Sequence, residues 1–281
     1  MTKKFRPLDA LIRFFIWICA LLVVVILIGI IFYTLFKGVP HITWQLLSTA
    51  PSELYQRVGI LPMIINTLYI VIITLLISTP IGICSAIYLN EYAGKNIFVS
   101  VIEFTTETLA GIPSIIYGLF GFMFFNIFCK LQYSIISGSL TLTIMVLPTI
   151  IRTTQESLKA VPAMYREAAL GIGAPKIYMI KTILLPCALP GILTAVILSI
   201  GRIVGESAAL ILTSGFGDKL PKSLFGHINA SGATLTVQLY QYAMRGEDLN
   251  ITFAIASVLI ILILIINYFA KSMAKRFNNS K

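Results

Sequence analysis

Arg166-Glu167-Ala168-Ala169-Leu170-Gly171-Ile172-Gly173-Ala174-Pro175 is the run on which the reading of this chain turns. It lies in a polar interval, residues 152–186, that interrupts a sequence otherwise made almost wholly of hydrocarbon side chains. Pro162 suits the first turn of a helix, where its missing N–H costs nothing, and Gly171 suits the stop, because glycine takes φ > 0 without penalty. These two residues predict a short helix over 162–170. At 1.5 Å per residue it is about 13 Å long, too short to cross a bilayer and too polar to sit inside one, so it is expected to lie across the membrane surface. Pro175 starts a second short helix, carrying Lys176, Tyr178 and Lys181 as far as Pro186, where an apolar helix begins. Two surface helices with a Gly-rich elbow make a compact knob.

Working outward, the 281 residues are 58% hydrophobic and only 11% charged, which excludes an ordinary soluble domain. Apolar runs long enough to cross a hydrocarbon core of about 30 Å as helices fall near 14–36, 62–88, 104–129, 138–158, 187–213 and 250–270. The fold class is therefore all-α, a polytopic membrane protein of about six transmembrane helices. A net charge of +10 raises nucleic acid as a partner, but the basic residues form no stripe with interleaved aromatics, and none is expected. The charge reports orientation in lipid instead. With the N-terminus inside, fourteen Lys and Arg fall on the inner side and six on the outer, and Arg202 alone lies within a span. The positive-inside rule then places both termini and the knob in the cytosol. The expected organisation is a basic N-terminus (1–13), a transmembrane domain (14–270) with its cytosolic loop at 152–186, and a basic tail (271–281). The first apolar run ends without a small-residue cleavage site and is expected to stay as an anchor. Cys19, Cys84, Cys129 and Cys187 lack metal or redox spacing, and no ligand cluster surrounds His41 or His227, so no metal and no cofactor are expected.

The second span carries Asn66, Thr67, Thr74, Ser78, Pro80 and Gly82, a small polar face suited to packing on other helices. Glu103 and Glu107 open the third span four residues apart. A paired-acid site is one reading; the other is that acids are simply favoured in the first turns of a helix, with no base nearby in sequence. Gly111 and Pro113 then break that helix, either as a packing kink or where freed backbone lines a water-filled path. In the fifth span, Gly201-Arg202-Ile203-Val204-Gly205-Glu206-Ser207 lies well inside the apolar run. A central arginine costs about 2.5–3.5 kcal/mol on insertion scales and finds a partner, for which Glu206 is the expected choice. Either the two neutralise each other, with Gly201 and Gly205 as a contact face, or a guanidinium held by its carboxylate handles an oxyanion. The loop 215–250 and its amphipathic part 234–242 are expected on the outer interface or against a delivering protein. Nothing matches a G-x-x-x-x-G-K-[ST] phosphate loop, so any ATP site lies on another chain.

Glu167-Ala168-Ala169 with Gly171, then Ile183 and Leu185-Pro186, resemble the cytosolic EAA loop of ABC importer permeases, which have the MetI-like fold. Gly201-Arg202-x-x-Gly205-Glu206-Ser207-Ala208 narrows the resemblance to phosphate permeases, although the family usually has Thr where Ser207 stands and Pro where Ala209 stands. The resemblance covers residues 60–277, with Ile87 to Ala93 and Thr236-Val237-Gln238-Leu239-Tyr240 among its matching pieces, and Leu109 to Gly121, together with the short outside loop before span two, favours the PstA type over the PstC type. The resemblance implies a permease subunit, not an enzyme, in the bacterial cytoplasmic membrane. Its implied partners are two ATPase copies at the cytosolic loop, a PstC-like second permease, an extracytoplasmic phosphate-binding protein and lipid. Glu167, Ala168, Ala169 and Gly171 would couple to the ATPase, while Arg202, Glu206 and Ser207 would line or gate the pathway. The alternatives are a permease for sulfate, molybdate or phosphonate, the PstC-type phosphate permease and, more remotely, an ATP-independent secondary transporter.

Overall fold

The computed structural model describes residues 7–52, 58–94, 97–220, 223, 226–246 and 248–279. Residues 1–6 and 280–281, the ends of the two basic tails, lie outside them, as do Arg57, Lys95 and Lys222 of the charge count. The described chain is all-α. Its helices are α1 (Pro7–Gly38), α2 (Trp44–Ser48), α3 (Leu61–Ile87), α4 (Ile97–Ala110), α5 (Ser114–Gly121), α6 (Ile135–Lys159), α7 (Ala163–Gly171), α8 (Lys176–Met179), α9 (Leu185–Gly205), α10 (Ala208–Thr213), α11 (Leu235–Arg245) and α12 (Leu249–Asn279). Five continuous segments are long and apolar enough to cross a membrane: Leu11–His41, Leu61–Tyr92, Ile135–Lys159, Lys176–Gly205 and Leu249–Ser272.

The third expected span is broken more sharply than a kink. Ile97–Ala110 and Ser114–Phe128 meet at 105°. Pro113 has no N–H to continue the ladder and sits at φ −58, ψ 140, outside the helical region. The polar groups freed at the bend stay bonded, as an apolar solvent demands. Gly111 N–H donates to Thr108 O (3.1 Å), Ile112 N–H to Leu109 O (3.2 Å), and the Tyr117 hydroxyl also to Leu109 O (2.7 Å).

The fifth span departs from expectation at both ends. It starts at Lys176, because α8 runs through a π turn, Ile180–Leu184, directly into α9. The π turn carries the helix past Pro186, which has no N–H to donate. There is accordingly no separate second surface helix. At the other end α9 stops at Gly205, Glu206 is extended (φ −82, ψ 127), and the chain restarts as α10.

α3 and α6 are the central pair, α9 packs on α6, and α12 packs on α9 and α1. Met63, Ile70, Leu142, Met145, Val146 and Ile150 fill the seam between α3 and α6. Small residues set the closest approaches: a Cβ on Gly118 would stand 2.8 Å from the Ala209 Cα, so α5 lies directly on α10. α1 packs on α12, with Ser257 donating to Thr34 O (3.0 Å) and Tyr33 edge-on to Phe253. The rest of its apolar surface is bare, as a lipid-facing helix requires.

The polar face of α3 does two jobs. Thr74 donates to Ser139 O of α6 (3.3 Å), the expected bond across helices. Asn66 and Thr67 instead hold the loop that follows α10. Asn66 Nδ2 donates to Ala233 O (3.0 Å), its Oδ1 faces His227 Nε2 (2.7 Å), and Thr67 Oγ1 accepts from Leu235 N–H (3.1 Å). The loop thus folds back into the bundle mouth and buries His227 and the first turn of α11.

Candidate functional site

Two places carry the residues singled out by sequence: the break between α9 and α10, and the knob around α7.

At the break, Arg202 stands in the last turn of α9, where helix carbonyls point outward and favour a cation. Glu206 stands just before α10, and its Oε1 accepts from Ala209 N–H at 3.0 Å, a capping bond. Each charge is therefore served by a different helix end. No ion pair within 4.0 Å joins them, because the extended backbone at Glu206 replaces the helical turn that would have stacked them. The expected Arg202–Glu206 pair is absent, and the half-buried guanidinium makes no hydrogen bond among the described residues. Glu206 is further fixed through its carbonyl, which accepts from Thr236 Oγ1 of α11 at 2.8 Å. Ser207 is also half-buried, and its side chain makes no capping bond. A Cβ built on Gly201 or Gly205 meets nothing within 4 Å, so no described residue packs closely on either glycine. Arg202 thus ends α9 while Glu206 and Ser207 lead into α10, which packs on α5 and α11. Gly111 and Pro113 lie at the α4–α5 bend that precedes this contact.

In the knob, Pro162 caps the start of α7 and strong helix formers follow. The stop is not where the sequence placed it. Gly171 is helical, Ile172 follows at φ −89, and the left-handed residue is Gly173 at φ +79. Ala174 N–H donates to Ala169 O and Gly173 N–H to Leu170 O, both at 3.0 Å, the double bond set of a Schellman stop. Glu167, Ala168 and Gly171 are exposed. Ala169 is not: at 3% exposure it packs with Leu158, Val161, Met179, Ile180 and Leu184 in a second apolar cluster, which Ile83 and Ile87 of α3 complete. The outer skin of the knob is strongly apolar, with Met164, Leu170, Ile177 and Tyr178 exposed and Ile172 at 86%.

Other partners were hidden by distance along the chain. Glu107 pairs with Arg152 at 2.8 Å and Glu103 with Lys159 at 4.0 Å, so the bases absent near these acids in sequence come from α6. With Thr106, Gln155 and Glu156 they line an open polar cavity of about 220 Å³. Arg166 meets Glu91, at the end of the second span, at 3.0 Å. Burial of His227, outside the spans, holds its pKa below the ordinary value of 6.5. Only a lone polar residue in a loop announced it.

The described chain is thus a bundle of membrane helices with an apolar knob and charges held at a helix break. Residues 78–279 match the family described as binding-protein-dependent transport system inner membrane component, and the chain belongs to that family. It is 32% identical over 276 residues to the phosphate transport system permease protein PstA of Pasteurella multocida, covering 96% of this chain and 93% of that one. It is 34% identical to the probable ABC transporter permease protein YqgI of Bacillus subtilis, covering 80% and 76%. Among solved structures, a bacterial alginate ABC transporter in complex with a pentasaccharide-bound periplasmic protein superposes with a TM-score of 0.70 at 16% identity, over 97% of this chain and 96% of that one. The MetNI methionine ABC transporter, inward facing, gives 0.58 at 19%, over 78% and 94%. At these identities the likeness is one of fold.

Proposed function

We propose that this chain is a permease subunit of an ATP-driven importer that moves inorganic phosphate across the bacterial cytoplasmic membrane. The observation that carries the reading is Arg202: a half-buried guanidinium in the last turn of α9, with no ion-pair or hydrogen-bond partner among the described residues. A tetrahedral oxyanion presents acceptor oxygens that match its fork. The phosphate permeases named among the relatives support the same substrate.

The knob serves as the dock for an ATPase chain present in two copies, with Glu167, Ala168 and Gly171 at its surface and Ile172 as the apolar anchor. Ala169 supports that surface from beneath. The open face at Gly201 and Gly205 is where a second, PstC-like permease completes the pathway, and a phosphate-binding protein delivers substrate at the opposite end. ATP binding draws the knobs together and turns the pathway outward, so hydrolysis belongs to the partner chain. Both termini and the knob are cytosolic, in keeping with the basic asymmetry of the sequence.

Arg202→Gln keeps much of the size and polarity but loses the charge and the fork. Labelled phosphate uptake, in cells lacking other uptake systems, is expected to vanish while the subunits still assemble. Wild-type uptake by that variant overturns the assignment, and competition by sulfate, molybdate or phosphonate in place of phosphate would move it to another oxyanion. For topology, a cysteine at position 174 in a cysteine-free background is expected to resist labelling from outside and one at position 229 to react; the reverse pattern rejects the orientation.

A further inference from the structure

We propose that Glu91 and Arg166 form the joint through which movement of the knob reaches the second span. This rests on the docking role proposed for the knob. Glu91 lies in the π turn Tyr88–Tyr92 that closes the second span, and Arg166 lies in the middle of α7. Their side chains are 6% and 23% exposed, far more enclosed than the other ion pairs of the described residues. Arg166 donates from Nε (3.2 Å) and Nη2 (3.0 Å) to the same carboxylate oxygen. Its remaining donors reach back to α6 and its exit: Nη2 to Leu158 O (2.8 Å) and Nη1 to Val161 O (3.0 Å). Asn90 Nδ2 holds the same oxygen of Glu91 at 2.6 Å. Lys176, the first residue of α8, donates to the main-chain oxygen of Glu91 and lies 4.8 Å above the Tyr92 ring.

Both helices that leave the knob are therefore tied to one residue of the second span. The apolar cluster beneath already holds the knob in place, but burial is non-directional and lets surfaces slide. A charged fork with all three of its nitrogens engaged fixes angle as well as contact. Since α3 packs along α6 and meets α9, which carries Arg202, a push on α7 enters the bundle at Glu91. Glu91 and Arg166 are positioning residues, acting on transport through the helices they join.

The test uses the full importer, reconstituted in liposomes with its ATPase, second permease and binding protein, and reads labelled phosphate taken up per ATP hydrolysed. For Glu91→Gln and Arg166→Lys, ATPase co-purification and hydrolysis are expected to hold while uptake per ATP falls about tenfold, within the usual range of coupling between sites. In a chain with Cys19, Cys84, Cys129 and Cys187 changed to serine, the pair Glu91→Cys with Arg166→Cys is expected to be uncoupled when reduced. Bridging by a short bifunctional thiol reagent is expected to restore uptake, which a general loss of folding would not permit. Uptake per ATP equal to the parent in Glu91→Gln and in the reduced pair overturns the joint, as does failure of bridging to restore it. Ile172→Glu separates this from the docking role. If Ile172→Glu keeps its ATPase, docking at the knob is wrong; if it and the Glu91 variants all lose the ATPase, docking stands and the joint falls, because the pair then only shapes the dock.

Discussion

The Tyr117 hydroxyl donates to Leu109 O at 2.7 Å across the 105° bend between α4 and α5, from inside the bundle. The bond replaces part of the ladder that Pro113 interrupts. Leu109 O also accepts from Ile112 N–H, so Tyr117→Phe removes one of its two donors and is expected to cost about 0.5–1.5 kcal/mol. In thermal unfolding of the purified protein that is a fall of roughly 2–4 °C per kcal/mol. An unchanged midpoint would show that the backbone alone holds the bend.

Gly118 and Gly205 differ in what surrounds them. A side chain at 118 meets the backbone of Ala209, which cannot give way, so Gly118→Val is expected to separate α5 from α10 and depress the yield of folded protein. Gly205→Ala and Gly201→Ala meet nothing within 4 Å and are expected to fold normally, with Gly201, inside α9, gaining about 0.5–1 kcal/mol from reduced chain entropy. Both are expected to lower phosphate uptake if the open face receives substrate or a second permease. Yield by size-exclusion chromatography and uptake in cells check the two halves separately.

In the knob, Gly173→Ala is the costly change and Gly171→Ala the cheap one. Gly173 is left-handed at φ +79, where a Cβ costs about 1–2 kcal/mol. Gly171 is helical with open space around it, so alanine there is expected to leave the midpoint unchanged or raise it. Equal midpoints for the two variants would remove the Schellman stop from the account.

His227 gives the fold a dependence on pH. Asn66 donates to Ala233 O, which orients its amide so that Oδ1 accepts from His227 Nε2–H. Burial holds the folded pKa below 6.5, so between the two values the unfolded chain binds more protons than the folded one. Its contribution is fully present above pH 6.5 and is lost as pH falls below that value. The unfolding midpoint is expected to drop as pH falls from about 7.5 to 5, and less so in His227→Gln. The same drop in both proteins would assign the effect to other groups.

Composition alone settled the solvent and hence the class. Backbone polar groups cannot go unbonded in hydrocarbon, so long apolar runs have one stable form, and Pro113 and Pro162 mark two places where it is interrupted. Arg202, Glu206, Ser207 and Glu167 stood out in the sequence because few polar residues fall inside or beside such runs. What folding alone decided was which groups meet. Glu206 turned from Arg202 to cap α10 because the backbone between them is extended, a choice that one-turn spacing does not reveal. Ala169 went inward because the knob has its own apolar cluster. Glu91 with Arg166, Glu107 with Arg152, and Asn66 with His227 stand 75, 45 and 161 residues apart. Helix periodicity carries information over a few turns, and pairings of that range are fixed only when whole helices pack.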